Sequence, residues 1–164
     1  MRHALRETYI HRVLGDRIFG RHIWRFDVNS VAGGLSLGLF VAFTPTIPFQ
    51  MLMCAIGCLI LGVNLPIALA ACWVTNPVTA VPIYWAEHQV GKFLILNSGI
   101  EDGIFGLLSH ESPLPWLMKN SLYLWTGSLI FGAFAAVAGN IAVRILWAAA
   151  AWARNRHAMK TGRG

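Results

Sequence analysis

The chain has 164 residues, of which 56% are apolar and 12% charged, with a net charge of +6; an ordinary soluble domain carries roughly a quarter charged residues. No Asp, Glu, Lys, Arg or His occurs between Val28 and Ala86, a gap whose chance at ordinary charge density is on the order of 10⁻⁸. This composition excludes an ordinary soluble domain, and positive charge gathered at the two ends reads as membrane topology, with no nucleic acid as partner.

Residues 1–27 carry Arg2, Arg6, Arg12, Arg17, Arg21 and Arg25. No clean apolar stretch or small-residue cleavage site accompanies them, so a retained segment is expected, not a removable signal peptide. Ile10, Val13, Leu14 and Ile18 recur at helical spacing, but Arg6 and Arg17 intrude on that face and Gly15 and Gly20 weaken it. The pattern predicts an imperfect interfacial helix held by anionic lipid headgroups.

Residues 28–96 form the predicted membrane core. At about 1.5 Å per residue the uncharged stretch makes roughly 88 Å of helix, nearly three passes of a ~30 Å hydrocarbon layer. Its helices are interrupted. Thr44-Pro45-Thr46-Ile47-Pro48-Phe49-Gln50 breaks the first apolar run, and the helix resumes from Pro48 to Leu61. Gly62 to Pro66 turns the chain, with Asn64 as N-cap and Pro66 tolerated in a first turn. A short helix reaches Val74; Thr75-Asn76-Pro77 then breaks it, with Asn76 capping a helix whose first residue is Pro77, and Pro82 follows. Helices this short span only about 15 to 22 Å. Either they form three kinked crossings, or they are re-entrant hairpins whose breaks meet inside the membrane. Backbone freed at such depth must be buried in protein or line a watered cavity.

Residues 97–120 contain Glu101, Asp102 and Glu111 against Lys119, which suits an extracytoplasmic loop. Residues 121–153 read as the final transmembrane helix, with Arg144 snorkelling at the inner interface. Trp116, Tyr123 and Trp125 would form the outer aromatic belt, and Trp24, Trp147 and Trp152 the inner one. Residues 154–164, with Arg154, Arg156, Lys160 and Arg163, form a basic tail. The expected fold is therefore an all-α polytopic membrane protein of about four crossings, both termini cytoplasmic.

The run Gly33-Gly34-Leu35-Ser36-Leu37-Gly38-Leu39-Phe40, then Thr44-Pro45, Gln50, Asn64-Leu65-Pro66, and above all Trp73-Val74-Thr75-Asn76-Pro77-Val78-Thr79 with Pro82-Ile83-Tyr84, resembles the bacterial membrane family called domain of unknown function 2062. The resemblance covers about residues 26–96. It implies a bacterial inner-membrane protein without an assigned activity. Some members of that family carry a fused glycosyltransferase domain, absent from these 164 residues, which hints at envelope glycan or polyprenyl-lipid metabolism. Where the family often has a glycine before the Gln-type position, this chain has Pro48-Phe49.

Enzymatic readings fail on context. Gly34-Leu35-Ser36-Leu37-Gly38 matches G-x-S-x-G, with Asp102 and His110 following, but it lies in an apolar helix instead of a strand–turn–helix elbow. Gly34 and Gly38 read instead as a helix-packing face, with Gly132, Ala136 and Gly139 of the last helix as its complement. Cys54 and Cys58 share a helix face without further nearby ligands, so packing is expected and no metal or other cofactor. Three cysteines inside apolar runs make no disulfide framework. Glu87-His88 and His110-Glu111 read as interface polar pairs.

What remains is neutral polarity beside the prolines: Thr44, Thr46, Gln50, Asn64, Thr75, Asn76 and Thr79. These side chains cap broken helices; as a ligand site, half-helix N-termini at Pro48 and Pro77 would turn N–H groups toward a carboxylate or phosphate. The expected function is transport or handling of a small anionic solute or polyprenyl-type lipid, in a homo-oligomer or with a membrane partner. The alternative is a non-catalytic scaffold for an envelope glycan or lipid enzyme.

Overall fold

The structure is a computed structural model that describes residues 21–99 and 113–160. The expected interfacial helix before Arg21, and Glu101, Asp102, His110 and Glu111, lie outside the described residues. Among those described, every element is helical. A 3-10 turn, Arg21–Trp24, precedes α1 (Val28–Ala42), α2 (Gln50–Leu61), α3 (Leu65–Cys72), α4 (Ala80–Ser98) and α5 (Pro113–Lys160).

Each start has a local cause. Asp27 is extended at φ −96° and caps α1, its carboxylate accepting from the amides of Asn29 and Ser30 at 3.1 Å and from the Ser30 hydroxyl at 2.8 Å. The hydroxyl and amide of Ser30, and then Arg25, hold this carboxyl below the usual carboxylate range. Gly62 ends α2 at φ +65°, a left-handed conformation that glycine adopts without strain. Asn64 caps α3 through its carbonyl, which accepts from the Ile67 amide at 2.9 Å, and Pro66 stands in the first turn, where no N–H is needed.

The two Thr-and-Pro breaks are longer than the prolines alone dictate. Helix α2 begins at Gln50 instead of Pro48, because Phe49 closes a turn onto the Thr46 carbonyl at 2.7 Å. Helix α4 begins at Ala80 instead of Pro77, after a turn built on Asn76. Pro82 interrupts nothing: it lies in the first turn of α4, where its missing donor has no partner to lose.

Helix sense follows from the contacts. Gly34 faces the Asn64 carbonyl and Gly38 that of Ala68, so α1 and α3 run the same way, and a Cβ at either glycine would overlap the oxygen. The small residues of α5 are not the partners of this pair. They meet the opposite side of α1: Gly132 lies against Phe40, Gly139 against Leu35 and Leu39, and the Ser36 hydroxyl donates to the Ala136 carbonyl at 3.0 Å. Helix α5 is thus antiparallel to α1, and also to α4, where Gly91 abuts the Tyr123 carbonyl and Gly127 that of Glu87. Consequently α3 and α4 run in one direction, and the second break interrupts a single ascending path.

The core is small. Val41, Cys54 and Cys72 cluster with Leu37 and Leu69, and Cys58 is also fully buried. Among the described residues one helix is long and apolar enough to cross a membrane, so the expected four crossings are not confirmed. Helices α1 and α2, at 15 and 12 residues, reach only about 22 and 18 Å, and α3 about 12 Å. Helix α4 has 19 residues but carries Glu87, His88 and Lys92. Among the described residues α5 alone is long and apolar enough. Its 48 residues exceed the expected 121–153 at both ends. Only 6% of its most apolar window is buried, so it is not the enclosed core helix of a soluble fold.

Candidate functional site

Both breaks open onto one cavity of about 170 Å³. Ile47, Pro48, Gln50 and Met51 line it from the first break, and Cys72, Trp73, Thr75, Asn76 and Pro77 from the second. Its floor is polar and its rim apolar: Gln50 and Thr75 are buried, whereas Ile47, Met51, Trp73 and Phe49 beside them are exposed.

Gln50 organises the first side. Its amide nitrogen donates to the Tyr84 hydroxyl at 3.3 Å and, at 3.5 Å, to the Thr44 carbonyl, to which the Tyr84 hydroxyl donates at 3.4 Å. Its carbonyl takes the Cys72 thiol at 3.8 Å. Thr44 donates its hydroxyl to the Val41 carbonyl at 2.7 Å and lies 3.2 Å from the Thr46 hydroxyl. These two threonines therefore stiffen the break and do not line the cavity.

The second side is closed by reciprocal capping. The Asn76 side-chain carbonyl accepts from the amides of Val78 at 2.9 Å and Thr79 at 3.2 Å, while the Thr79 hydroxyl accepts from the Asn76 amide at 3.0 Å and donates to the Val74 carbonyl at 2.7 Å. The expected half-helix donors after Pro77 are thus already engaged. Two groups are left at the cavity. The first turn of α2 has no side-chain cap, and the buried hydroxyl of Thr75 has no hydrogen-bond partner.

Asn64 is elsewhere. It is fully buried at the α2–α3 turn, where its amide nitrogen donates to the Arg25 carbonyl at 2.7 Å and its backbone amide to the Ser30 carbonyl at 3.0 Å. Those bonds knit the chain before α1, and the first turn of α1 itself, to the start of α3. The candidate residues therefore divide into Gln50, Thr75 and Asn76 at the cavity, Thr44, Thr46 and Thr79 behind it, and Asn64 apart.

A second polar cluster contains Glu87-His88, which the sequence presents as an interface polar pair; the structure instead buries Glu87 between two helices. Glu87 is fully buried on α4, and its carboxyl accepts from the Ser128 hydroxyl of α5 at 2.6 Å. His88 meets Asn120 at 2.9 Å and packs edge-on to Tyr123. The available signal was Gly91, one turn after Glu87, matched by Gly127 beside Ser128.

Helix α5 gives the height of both clusters. The stretch 121–143 lacks any charged residue, and Gly132 is its midpoint. Phe40 packs on Gly132, and Phe43, at the edge of the first break, faces Phe131 with ring centroids 6.2 Å apart. The breaks therefore lie level with the middle of the apolar stretch. The Glu87 level, at Gly127 and Ser128, is only about 7 Å along the axis from there.

A family of uncharacterized proteins conserved in bacteria, domain of unknown function 2062, matches residues 11–156. The chain belongs to this family. The domain of unknown function 2062 thus takes in α5 and the α4–α5 crossing as well as the broken core that carries the motif resemblance. The comparison with curated proteins gives no match, and neither does that with solved structures.

Proposed function

We propose that this bacterial protein is an inner-membrane protein that handles an anionic phosphate-ester group, on a lipid or a small solute, in the cavity between its two helix breaks. The observation that carries this reading is the meeting of both breaks in one cavity level with the midpoint of the apolar part of α5. Discontinuous helices at mid-membrane depth, with a helix N-terminus facing the ligand, are how several transporters bind anions. Thr75, 4% exposed and with its hydroxyl unbonded, adds a donor beside the first turn of α2. The apolar rim suits a lipid-borne headgroup.

In this reading α1 and α2 enter the membrane as a re-entrant pair, and α3 with α4 forms one interrupted crossing that returns through α5. Both basic ends then lie on the cytoplasmic side. So few crossings enclose no pathway in one copy, so the working unit is a homo-oligomer or includes a membrane partner.

The test uses dimethyl phosphate and phosphatidylglycerol as free and lipid-borne phosphodiesters, with the full chain in phosphatidylcholine nanodiscs. Thr75→Val replaces an unbonded hydroxyl by a methyl group, so thermal stability holds or rises, while affinity for the bound probe falls roughly tenfold. Asn76→Asp keeps the capping acceptor, folds, and repels the anion. Wild type that binds neither probe, or a Thr75→Val protein that binds as wild type does, overturns the site and favours the scaffold role.

A further inference from the structure

The α4–α5 crossing holds an ionisable group where charge is least tolerated. One Glu87 carboxyl oxygen accepts from Ser128, and the other is buried with no hydrogen-bond partner. Gly127 abuts the Glu87 backbone and, one turn on along α4, Gly91 abuts that of Tyr123, and among the described residues no group of three or more His, Cys, Asp or Glu side chains is placed to hold a metal ion. Among the described residues no Lys or Arg forms an ion pair with it. The titratable groups around it are Tyr84, one turn earlier on α4, His88 beside it, and Tyr123 on α5, with Cys72 beyond Tyr84. Lys92 on α4 is exposed, and Lys119 on α5 lies about two turns before Gly127. The ligand that such a closed, uncompensated carboxyl can exchange is a proton.

Its position connects it to the cavity. Tyr84 presents its hydroxyl to Gln50 and the Thr44 carbonyl from the same face of α4 that carries Glu87 one turn on. A negative charge on Glu87 is therefore felt where the two breaks meet. We infer that Glu87 is a proton-binding site coupled to the cavity, so that an anionic ligand enters with a proton taken from water onto the Glu87 carboxylate. This rests on the cavity being an anion site and specifies how that site is regulated. The proton and the anion neutralise one another, and the pair moves into the apolar layer without net charge.

The experiment measures proton uptake with a pH indicator in weakly buffered nanodiscs as dimethyl phosphate or phosphatidylglycerol is added. Both probes keep a constant charge over the working range, so any uptake belongs to the protein. Wild type takes up close to one proton per bound probe on the alkaline side of its transition, and its affinity falls roughly tenfold there relative to the acid side. Glu87→Gln keeps the size and the acceptor for Ser128; it binds with no uptake and with affinity independent of pH. Ser128→Ala keeps the uptake but moves its midpoint, which guards against a Glu87→Gln protein that does not fold. Binding without uptake in wild type, or uptake that persists in Glu87→Gln, overturns the proton site while the cavity stands. Absence of binding by either probe overturns the cavity and the coupling with it. Uptake with phosphatidylglycerol alone assigns the lipid as source of the phosphodiester, and uptake with both admits the free anion.

Discussion

The α1–α3 and α4–α5 contacts use the same device for different ends. In each, paired glycines let a helix rest on a neighbouring carbonyl, the geometry that makes small residues the contact points of helices in lipid. The α1–α3 seam is surrounded by neutral groups that satisfy one another, with Asn64 bonded to Arg25, Ser30 and Ile67. The α4–α5 crossing closes instead on Glu87, whose carboxyl is left half satisfied. Close packing alone therefore says nothing about role; the polar account around it does. A fully bonded seam is scaffold, and a seam with an unpaired ionisable group is where chemistry can enter.

The sharpest way to break this comparison is to widen each seam. Gly127→Val drives a side chain into the Glu87 backbone and should lower stability by about 3 kcal/mol or abolish folding; Gly38→Val should act in the same direction at the Ala68 carbonyl. Thermal unfolding in detergent reads both, and a neutral Gly127→Val would mean that α4 and α5 are not in contact there. Next comes Asn64→Ala, which removes a helix cap and a buried amide bond together. It should cost about 2 kcal/mol in the same assay, more than Asn76→Ala at about 1 kcal/mol, because Asn64 is fully buried and Asn76 is not. An equal loss at both positions would remove the distinction between the bonded seam and the cavity wall.

The smallest effect concerns Asp27. Its carboxyl is held below the usual range in the folded chain, so its support for α1 is present above the unfolded value of about 3.9 and is lost as pH falls through the folded one. Wild type should lose stability relative to Asp27→Asn as a titration descends below about pH 4, since Asn caps as well as Asp but does not titrate. Parallel unfolding curves for the two proteins would remove the cap from the account of α1.

The sequence makes some of this legible and hides the rest for identifiable reasons. Asn64 and Pro66 announce a helix start because cap and first-turn proline are local chemistry, and both stand where the pattern puts them. Gly34 and Gly38 announce a packing face, but spacing on one helix does not name the partner, and α3 takes the place expected for α5. Pro48 and Pro77 mark the breaks but not their ends, since the Phe49 amide and the Asn76 side chain each close a further turn. The uncharged stretch is long enough for nearly three passes, but that length is divided among helices too short to cross singly. Glu87 was hidden because a carboxylate beside a histidine reads as an interface pair; its burial depends on Gly127, distant in the chain.

The uninterrupted length of α5 has a mechanical consequence. At 48 residues it is a rod of about 72 Å, more than twice a hydrocarbon thickness of ~30 Å, so a large part of it stands outside any bilayer it crosses. Packing at Gly127, Gly132 and Gly139 grips only its first two thirds. A tilt of roughly 10° of the whole rod about its far end would carry the end bearing Trp152, Arg154 and Arg156 through about 12 Å. A small rearrangement at the Glu87 crossing would thereby become a much larger displacement at that end.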